Sequence, residues 1–324
     1  MKIIFLLVCL AIGTNSLCLK SEWNSFKQNY NKIYDNSEEE THRFQVFKEN
    51  LNIIRKHNEM YNKGEVTYYM GVNKFTDMSE EEFNKMLQLQ ALTKPKITTT
   101  PHKHPENTQI PESIDWREKG AVLEVRDQGD CGNCWAFGAV GALEGLNAIK
   151  KNSSVLLSPQ QLTDCSIRYG NHGCYGGRQI FGFDYVVDYG IEAESSYKYQ
   201  AKDGECKYSE KNVVLNIAGY RQVNQTDEAL KEAVGTVGPV TVSIDASPFH
   251  QYKGGVYSDI KNCGNNLASL NHAVLVVGFG TDKGEKYWLI KNSWGADWGE
   301  QGYFRIHRDY SVCGVLLDAS YPYV

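Results

Sequence analysis

One stretch constrains this chain more than any other: Gln128-Gly129-Asp130-Cys131-Gly132-Asn133-Cys134-Trp135-Ala136-Phe137. It puts a thiol at the first turn of an apolar helix, with a second cysteine three residues upstream and a glutamine six residues upstream. A helix start carries partial positive charge and unpaired N–H groups, so it favours thiolate over thiol. The thiolate is the nucleophilic form, so Cys134 stands where an attacking sulfur is needed. The same Cys-x-x-Cys could also be a redox pair, half of a zinc site, or two members of disulfides. A zinc site needs a second ligand pair; there is no other Cys-x-x-Cys and no histidine pair at zinc-finger spacing, so no metal or other cofactor is expected.

The cysteine count bears on the disulfide alternative. Of nine cysteines, Cys9 falls in an apolar run over 3–12 that follows Lys2 and leads into small and polar residues. That pattern reads as a signal peptide over 1–16, too short to span a bilayer as a helix. Export into an oxidising compartment would let disulfides persist. Cys18 sits at the cut. The other seven are Cys131, Cys134, Cys165, Cys174, Cys206, Cys263 and Cys313. Seven is odd; six in disulfides and one reactive thiol is the simplest distribution, and the sequence alone does not choose the pairs.

A thiolate needs a base, and His272 has the strongest local case. It begins a β-rich run, Ala273-Val274-Leu275-Val276-Val277, that reaches turn residues Thr281-Asp282-Lys283-Gly284. A second strand, Tyr287-Trp288-Leu289-Ile290-Lys291, ends at Asn292. His272 and Asn292 are equally far from Asp282, so a hairpin centred there brings them together. An amide oxygen beside an imidazole can accept its ring N–H and fix its orientation.

With Asn271-His272-Ala273 and Asn292-Ser293-Trp294-Gly295 added to the cysteine stretch, the chain resembles the papain family of cysteine peptidases, nearest its cathepsin L-like branch. Asn133 stands where that pattern has Ser or Ala. The resemblance implies an α+β fold of two lobes, one helical around 134–149 and one β-barrel-like, with the active site in the cleft between them. It implies Cys134 as nucleophile, His272 as base, Asn292 as orienter and Trp294 as the cover over their hydrogen bond. Gln128 and the Cys134 backbone N–H would form the oxyanion hole, and Cys134 and His272 an ion pair. It supplies the disulfides Cys131–Cys174, Cys165–Cys206 and Cys263–Cys313. Gly176 and Gly177 would form an edge for extended peptides, Asn271 would also contact substrate, and Arg178, Gln179, Ser243, Leu270, Ala273 and Asp318 would line the neighbouring pocket. An open Asp318 carboxylate there would widen an apolar preference to Arg and Lys; the alternative is that Asp318 turns to solvent or pairs with Arg178. No histidine-bearing insert lies between Gly177 and Cys206, so endopeptidase action is expected.

The region before the enzyme carries its own pattern. Glu39, Arg43, Phe47, Asn50, Ile54 and Asn58 fall on one helical face, as in any amphipathic helix. Their residue types, with Gly71-Val72-Asn73-Lys74-Phe75-Thr76-Asp77 further on, also resemble the two motifs of cathepsin L-like propeptides, which implies an inhibitory segment over 17–110. A Thr/Lys/Pro-rich stretch over 93–105 reads as an exposed linker. Ile110-Pro111-Glu112-Ser113 resembles the start of mature enzymes of the family, giving a peptidase domain over 111–324. That domain is mildly acidic, with 20 Lys/Arg against 26 Asp/Glu and no basic run suited to nucleic acid. Sequons at Asn152 and Asn224 are candidate glycosylation sites.

The expected function is a cysteine endopeptidase made as a secreted zymogen, acting through a Cys134 thioester at acid pH in lysosomes or an extracellular digestive lumen. Its partners would be protein and peptide substrates, its own propeptide and cystatin-like inhibitors, with no nucleic acid and no membrane span, acting as a monomer. The alternatives are a catalytically silent papain-like binding protein, which the intact Cys134, His272 and Asn292 disfavour, and a thiol–disulfide oxidoreductase, which needs Cys131 free.

Overall fold

The computed structural model describes residues 14–87, 100–102 and 109–324. The run over 3–12 read as a signal peptide, and most of the linker over 93–105, lie outside the described residues.

The N-terminal part comprises α1 (Thr14–Asn29), α2 (Ser37–Asn62), β1 (Tyr68–Met70) and α3 (Glu80–Met86). Asn36 starts α2 by accepting from the N–H groups of Glu38 and Glu39, and Glu38, Glu39 and Glu40 place acids where the helix dipole favours them. Trp23, Phe26, Phe47 and Leu51 form a small core between α1 and α2. The face picked out in the sequence is more than amphipathic. Phe47 and Ile54 are buried, while Asn50 donates to the carbonyls of Thr76 and Met78 and Asn58 exchanges two bonds with the Met70 backbone. Arg43 reaches Glu82 at 2.8 Å. These polar residues bind one propeptide motif to the other.

The remaining elements in chain order are β2 (Thr100–Pro101), β3 (Ile114–Asp115), α4 (Cys134–Lys151), α5 (Pro159–Cys165), α6 (Gln179–Tyr189), β4 (Ile191–Glu192), β5 (Val213–Leu215), β6 (Gly219–Gln222), α7 (Asp227–Thr236), β7 (Val240–Ile244), β8 (Tyr252–Tyr257), β9 (His272–Asp282), β10 (Glu285–Lys291), β11 (Tyr303–His307) and β12 (Ala319–Tyr323). The result is the α+β fold with a helical and a β-rich lobe that the resemblance implies. One core gathers α4, α5 and α6 around Trp135, Leu143, Leu162 and Phe183. The other gathers the strands around Val240, Ile244, Val276, Trp288 and Phe304. The large sheet runs β1-β8-β11-β10-β9-β7-β12-β6-β2, with β3 on β9.

Two strands from before Ile110 join this sheet. β1 pairs antiparallel with β8, placing Tyr68 opposite Gly255. A side chain at Gly255 would put its Cβ 2.5 Å from the Thr67 carbonyl oxygen, and its φ of +93° suits only glycine. β2 pairs parallel with β6, Thr100 opposite Arg221 and Pro101 opposite Gln222. The described part of the expected linker is therefore paired with the large sheet, where an exposed stretch is expected.

The β9–β10 hairpin also differs in detail. Its tight turn is Lys283-Gly284, both at positive φ, and not centred on Asp282. A bulge between Leu289 and Ile290 then shifts the register by one, so that Lys291 faces Leu275. Asn292 is consequently not directly across the ladder from His272; it reaches the ring from just beyond the strand end. The structure joins Cys131 to Cys174, Cys165 to Cys206 and Cys263 to Cys313, with Cys134 outside these bridges.

Candidate active site

The first turn of α4 holds the thiol. Asn133, at the N-cap, makes no side-chain cap bond; its amide nitrogen donates to Thr163 Oγ1 at 2.8 Å and its oxygen accepts from Tyr199 at 3.0 Å. The helix start therefore keeps its N–H groups near sulfur, where the backbone N–H groups of Trp135 and Cys134 favour the thiolate, and the Ala273 N–H donates to Sγ at 3.4 Å. Small residues bring helix and sheet this close. A Cβ at Gly138 would lie 2.6 Å from Thr241 Oγ1, and one at Gly141 2.8 Å from Leu275 Cδ2.

His272 opens β9 beside Ala273. Its Nε2–H donates to Asn292 Oδ1 at 2.8 Å, and the same oxygen accepts the Ser293 N–H at 2.8 Å, which fixes the amide orientation. Trp294 stacks on the imidazole with ring centres 4.7 Å apart. Gln128 is buried nearby, donating to the Cys131 carbonyl at 2.8 Å and accepting from Ser293 Oγ at 2.7 Å. Thiol, imidazole and amide are thus carried by elements of the two lobes, with the thiol bonded to the N–H of Ala273, the residue next to His272.

The expected ion pair belongs to the working site, and burial opposes both of its charges in the precursor. Burial pushes the Cys134 thiol up to about 11, against the lowering effect of its N–H donors. Burial likewise pushes His272 down to about 4, opposed by its bond to Asn292. Burial thus acts against both the thiolate and the imidazolium, because neither charge has water to solvate it.

The propeptide supplies part of that cover. Phe75 and Phe83 meet Trp294 edge-on at 5.4 and 5.5 Å. Lys74 bridges to Asp127 at 2.6 Å, Asn73 donates to the His250 carbonyl at 2.8 Å, and Thr76 donates to Gln251 Oε1 at 2.9 Å. His250 in turn donates Nε2–H to the Phe75 carbonyl at 2.8 Å and stacks on Phe83 at 4.6 Å. Nothing in the local sequence around His250 marks it for this role.

The residues expected to line the substrate pocket divide into three groups. Ser243 faces Ala273 across the β7–β9 ladder, and Gly177 packs so tightly that a Cβ there would lie 2.7 Å from Trp135. Gly176 and Leu270 are also buried. Asn271 is different: its amide bonds Asp245 Oδ1, Ser247 Oγ and the Ala246 N–H, so its side chain braces a loop where a substrate contact was expected. Asp318 also requires a correction. Its carboxylate accepts from Ser243 Oγ at 2.7 Å, Gln179 Nε2 at 3.1 Å and Arg178 Nη2 at 3.3 Å, and it is only 7% exposed. A lone buried carboxylate is costly, and these partners have already compensated it. It is not an open anion awaiting Arg or Lys. Asp318→Ala is accordingly expected to lower stability by ~3–5 kcal/mol, by removing the counter-charge that the carboxylate gives buried Arg178. Urea unfolding checks this, and a loss below about 1 kcal/mol would contradict it.

Behind Asn292 lies a charged cluster that the sequence reading missed. Arg126 bridges buried Glu144 at 2.7 Å and Glu194 at 2.6 Å, and Lys291 donates to the Leu123 carbonyl at 2.9 Å. Burial pushes Lys291 down to about 8.

Comparison with known proteins decides the family. Residues 110–323 match the model of the papain family cysteine proteases, and residues 23–83 match the cathepsin propeptide inhibitor domain. The chain belongs to the papain family of cysteine proteases. It is 45% identical to the cathepsin L-like proteinase of Phaedon cochleariae, with 99% of each chain covered. It is 42% identical to digestive cysteine proteinase 3 of Homarus americanus, with all of both chains covered. Among solved structures, digestive procathepsin L 3 from the larval midgut of Tenebrio molitor superposes with a TM-score of 0.88 at 41% identity, covering 94% of this chain and 99% of that one. The protein is thus a cathepsin L-like cysteine protease precursor carrying a propeptide inhibitor domain, and no helix among the described residues is long and apolar enough to cross a membrane.

Proposed function

We propose that this papain-family enzyme is an endopeptidase made as a secreted zymogen, with domains over 1–16, 17–110 and 111–324, that digests proteins at acid pH in a lysosome or digestive lumen. The observation that carries the reading is the His272–Asn292 bond at 2.8 Å beside a thiol at the start of α4. Cys134 is the nucleophile, His272 the base and Asn292 the group that orients it. Once water reaches the site, a proton passes from sulfur to His272, and the thiolate attacks the peptide carbonyl. Gln128 Nε2 and the Cys134 N–H receive the oxyanion. His272 returns its proton to the departing amine, leaving a thioester, which water hydrolyses with His272 again taking the proton.

Gly176 and Gly177 offer backbone to an extended peptide, and Trp294 shields the His272–Asn292 bond. Ser243, Leu270 and Ala273, floored by the neutralised Arg178–Asp318 pair and Gln179, suit an uncharged side chain. The enzyme works as a monomer, needs no cofactor, and is open to cystatin-like inhibitors once the cleft is vacated. Wild-type hydrolysis of peptides with uncharged and with basic residues at the second position tests the pocket; equal rates for both would count against a neutral floor.

Acid release of the propeptide has a specific contributor in His250. Burial lowers its pKa, with partial compensation from the Phe75 carbonyl and from Glu80, Asp77 and Glu82. Protons therefore bind the uncovered state better than the covered one. The contribution of this contact to docking is full above the ordinary histidine value of ~6.5 and is lost progressively as pH falls from there towards the lower value of the covered state. His250→Gln keeps a donor for Phe75 but removes the titration. It is expected to move the midpoint of acid processing down by about half a pH unit. An unchanged midpoint in a pH series of precursor processing would remove His250 from the trigger.

A further inference from the structure

Besides the cover over the cleft, the propeptide touches the enzyme at a second, separate place. Thr100 and Pro101 extend the edge of β6, and the chain continues with the His102 N–H donating to the Gln222 carbonyl at 2.9 Å. Arg221 closes over the strand: its Nη1 donates to the Pro101 carbonyl at 3.1 Å, and its guanidinium lies 5.0 Å from the centre of the Tyr323 ring. The His102 side chain, 4% exposed, then enters a slot between α7 and β12. There Nε2 bonds Glu232 Oε1 at 2.7 Å and Nδ1 bonds the Tyr321 hydroxyl at 2.6 Å. Both ring nitrogens are satisfied, and the ring meets Tyr321 edge-on at 5.6 Å.

Two features of this arrangement set it apart from the cover. Its partners belong to β6, α7 and β12, whereas Phe75 and Phe83 dock on Trp294 and His250. It also reads one side chain: a backbone ladder accepts most sequences, but a slot offering a carboxylate and a hydroxyl to opposite nitrogens fits an imidazole. A short site of this kind binds weakly as a free peptide. Tethered by the few residues that lead to Ile110, it needs little affinity, because the effective concentration of the tail is high.

We propose that the β6 edge and the Glu232–Tyr321 slot form a second docking site, occupied by residues 100–102 of the same chain, that straps the propeptide tail to the enzyme after the cleft has been vacated. A cut N-terminal to Thr100 then frees the inhibitory helices but leaves an enzyme whose N-terminal extension is held against the sheet. Trimming to a start near Ile110 must wait for His102 to leave its slot. The consequence for maturation rests on the zymogen reading above; the docking itself does not.

Amide hydrogen exchange on the full-length Cys134→Ser precursor tests the strap without any turnover. The segment around His102 is expected to exchange at least ~10-fold more slowly than unstructured chain. His102→Ala and Glu232→Ala, each in that background, should return it to the unstructured rate while α2 keeps its protection. Free exchange around His102 in the parent, or equal protection in parent and His102→Ala, would overturn the proposal. In the active precursor, intact mass should show an intermediate beginning N-terminal to Thr100 that persists at least about three times longer in the wild type than in His102→Ala. Equal lifetimes would overturn the strap as a step in maturation. Failure of the protease reading would abolish processing altogether and leave the exchange result standing.

Discussion

Cys134→Ser is expected to lower kcat/KM for peptide hydrolysis by at least ~10^4-fold and to leave the acidified precursor at full length. A hydroxyl at this place receives the same backbone N–H groups as the thiol, including that of Ala273 at 3.4 Å. What it lacks is acidity: the imidazole cannot take a proton from serine as readily as from cysteine, so the attacking anion is not formed. The substitution is nearly isosteric in a buried site, so thermal unfolding should be unchanged within a few degrees. Loss of activity with an unchanged melting temperature assigns the sulfur to the chemistry. Retention of more than about a tenth of the wild-type rate would take Cys134 out of the reaction.

The second large effect concerns the same sulfur before activation. Burial pushes the thiol up in the covered precursor and so keeps its thiolate fraction small at pH 6. Removing the propeptide returns water to the site and lets the α4 N-terminus and His272 favour the charged pair. Alkylation of Cys134 by a small electrophile at pH 6 is therefore expected to accelerate at least ~10^3-fold on maturation, through both access and thiolate fraction. Peptide mass mapping of the labelled residue measures this directly. Comparable labelling rates in precursor and mature enzyme would mean that the propeptide neither shields nor neutralises the thiol.

Much of the site was legible because its parts are short and local. A cysteine at a helix start, a histidine at a strand start and an asparagine at the end of the next strand each leave a signature within about ten residues. The hairpin between the last two could be read from turn residues, though not its register: the Lys283-Gly284 turn and the bulge after Leu289 depend on backbone geometry that the residue pattern does not specify. The helical face from Glu39 to Asn58 was visible as a face, whereas what its polar residues bind became clear only when Thr76, Met78 and Glu82 were placed against it.

Long-range polar pairs were the least legible. His250 meets Phe75 across 175 residues, His102 meets Tyr321 across 219, and Arg126 meets Glu194 across 68. Each is an ordinary polar residue in its own neighbourhood. Asp318 shows the same difficulty from the other side. The family pattern put it by the pocket, but whether its carboxylate stays open or pairs with Arg178, 140 residues away, was settled only by the fold. Burial opposes the charged forms of Cys134 and His272, and it is a property of the folded precursor and not of either residue's own sequence context.

The most direct test of the zymogen account follows wild-type precursor after acidification with a reductant, recording peptide hydrolysis and the N-terminal residue in the same samples. The two are expected to change together, with hydrolysis appearing as the chain shortens towards a start near Ile110. Full hydrolysis by precursor that has not been cut, or complete shortening without hydrolysis, would contradict it.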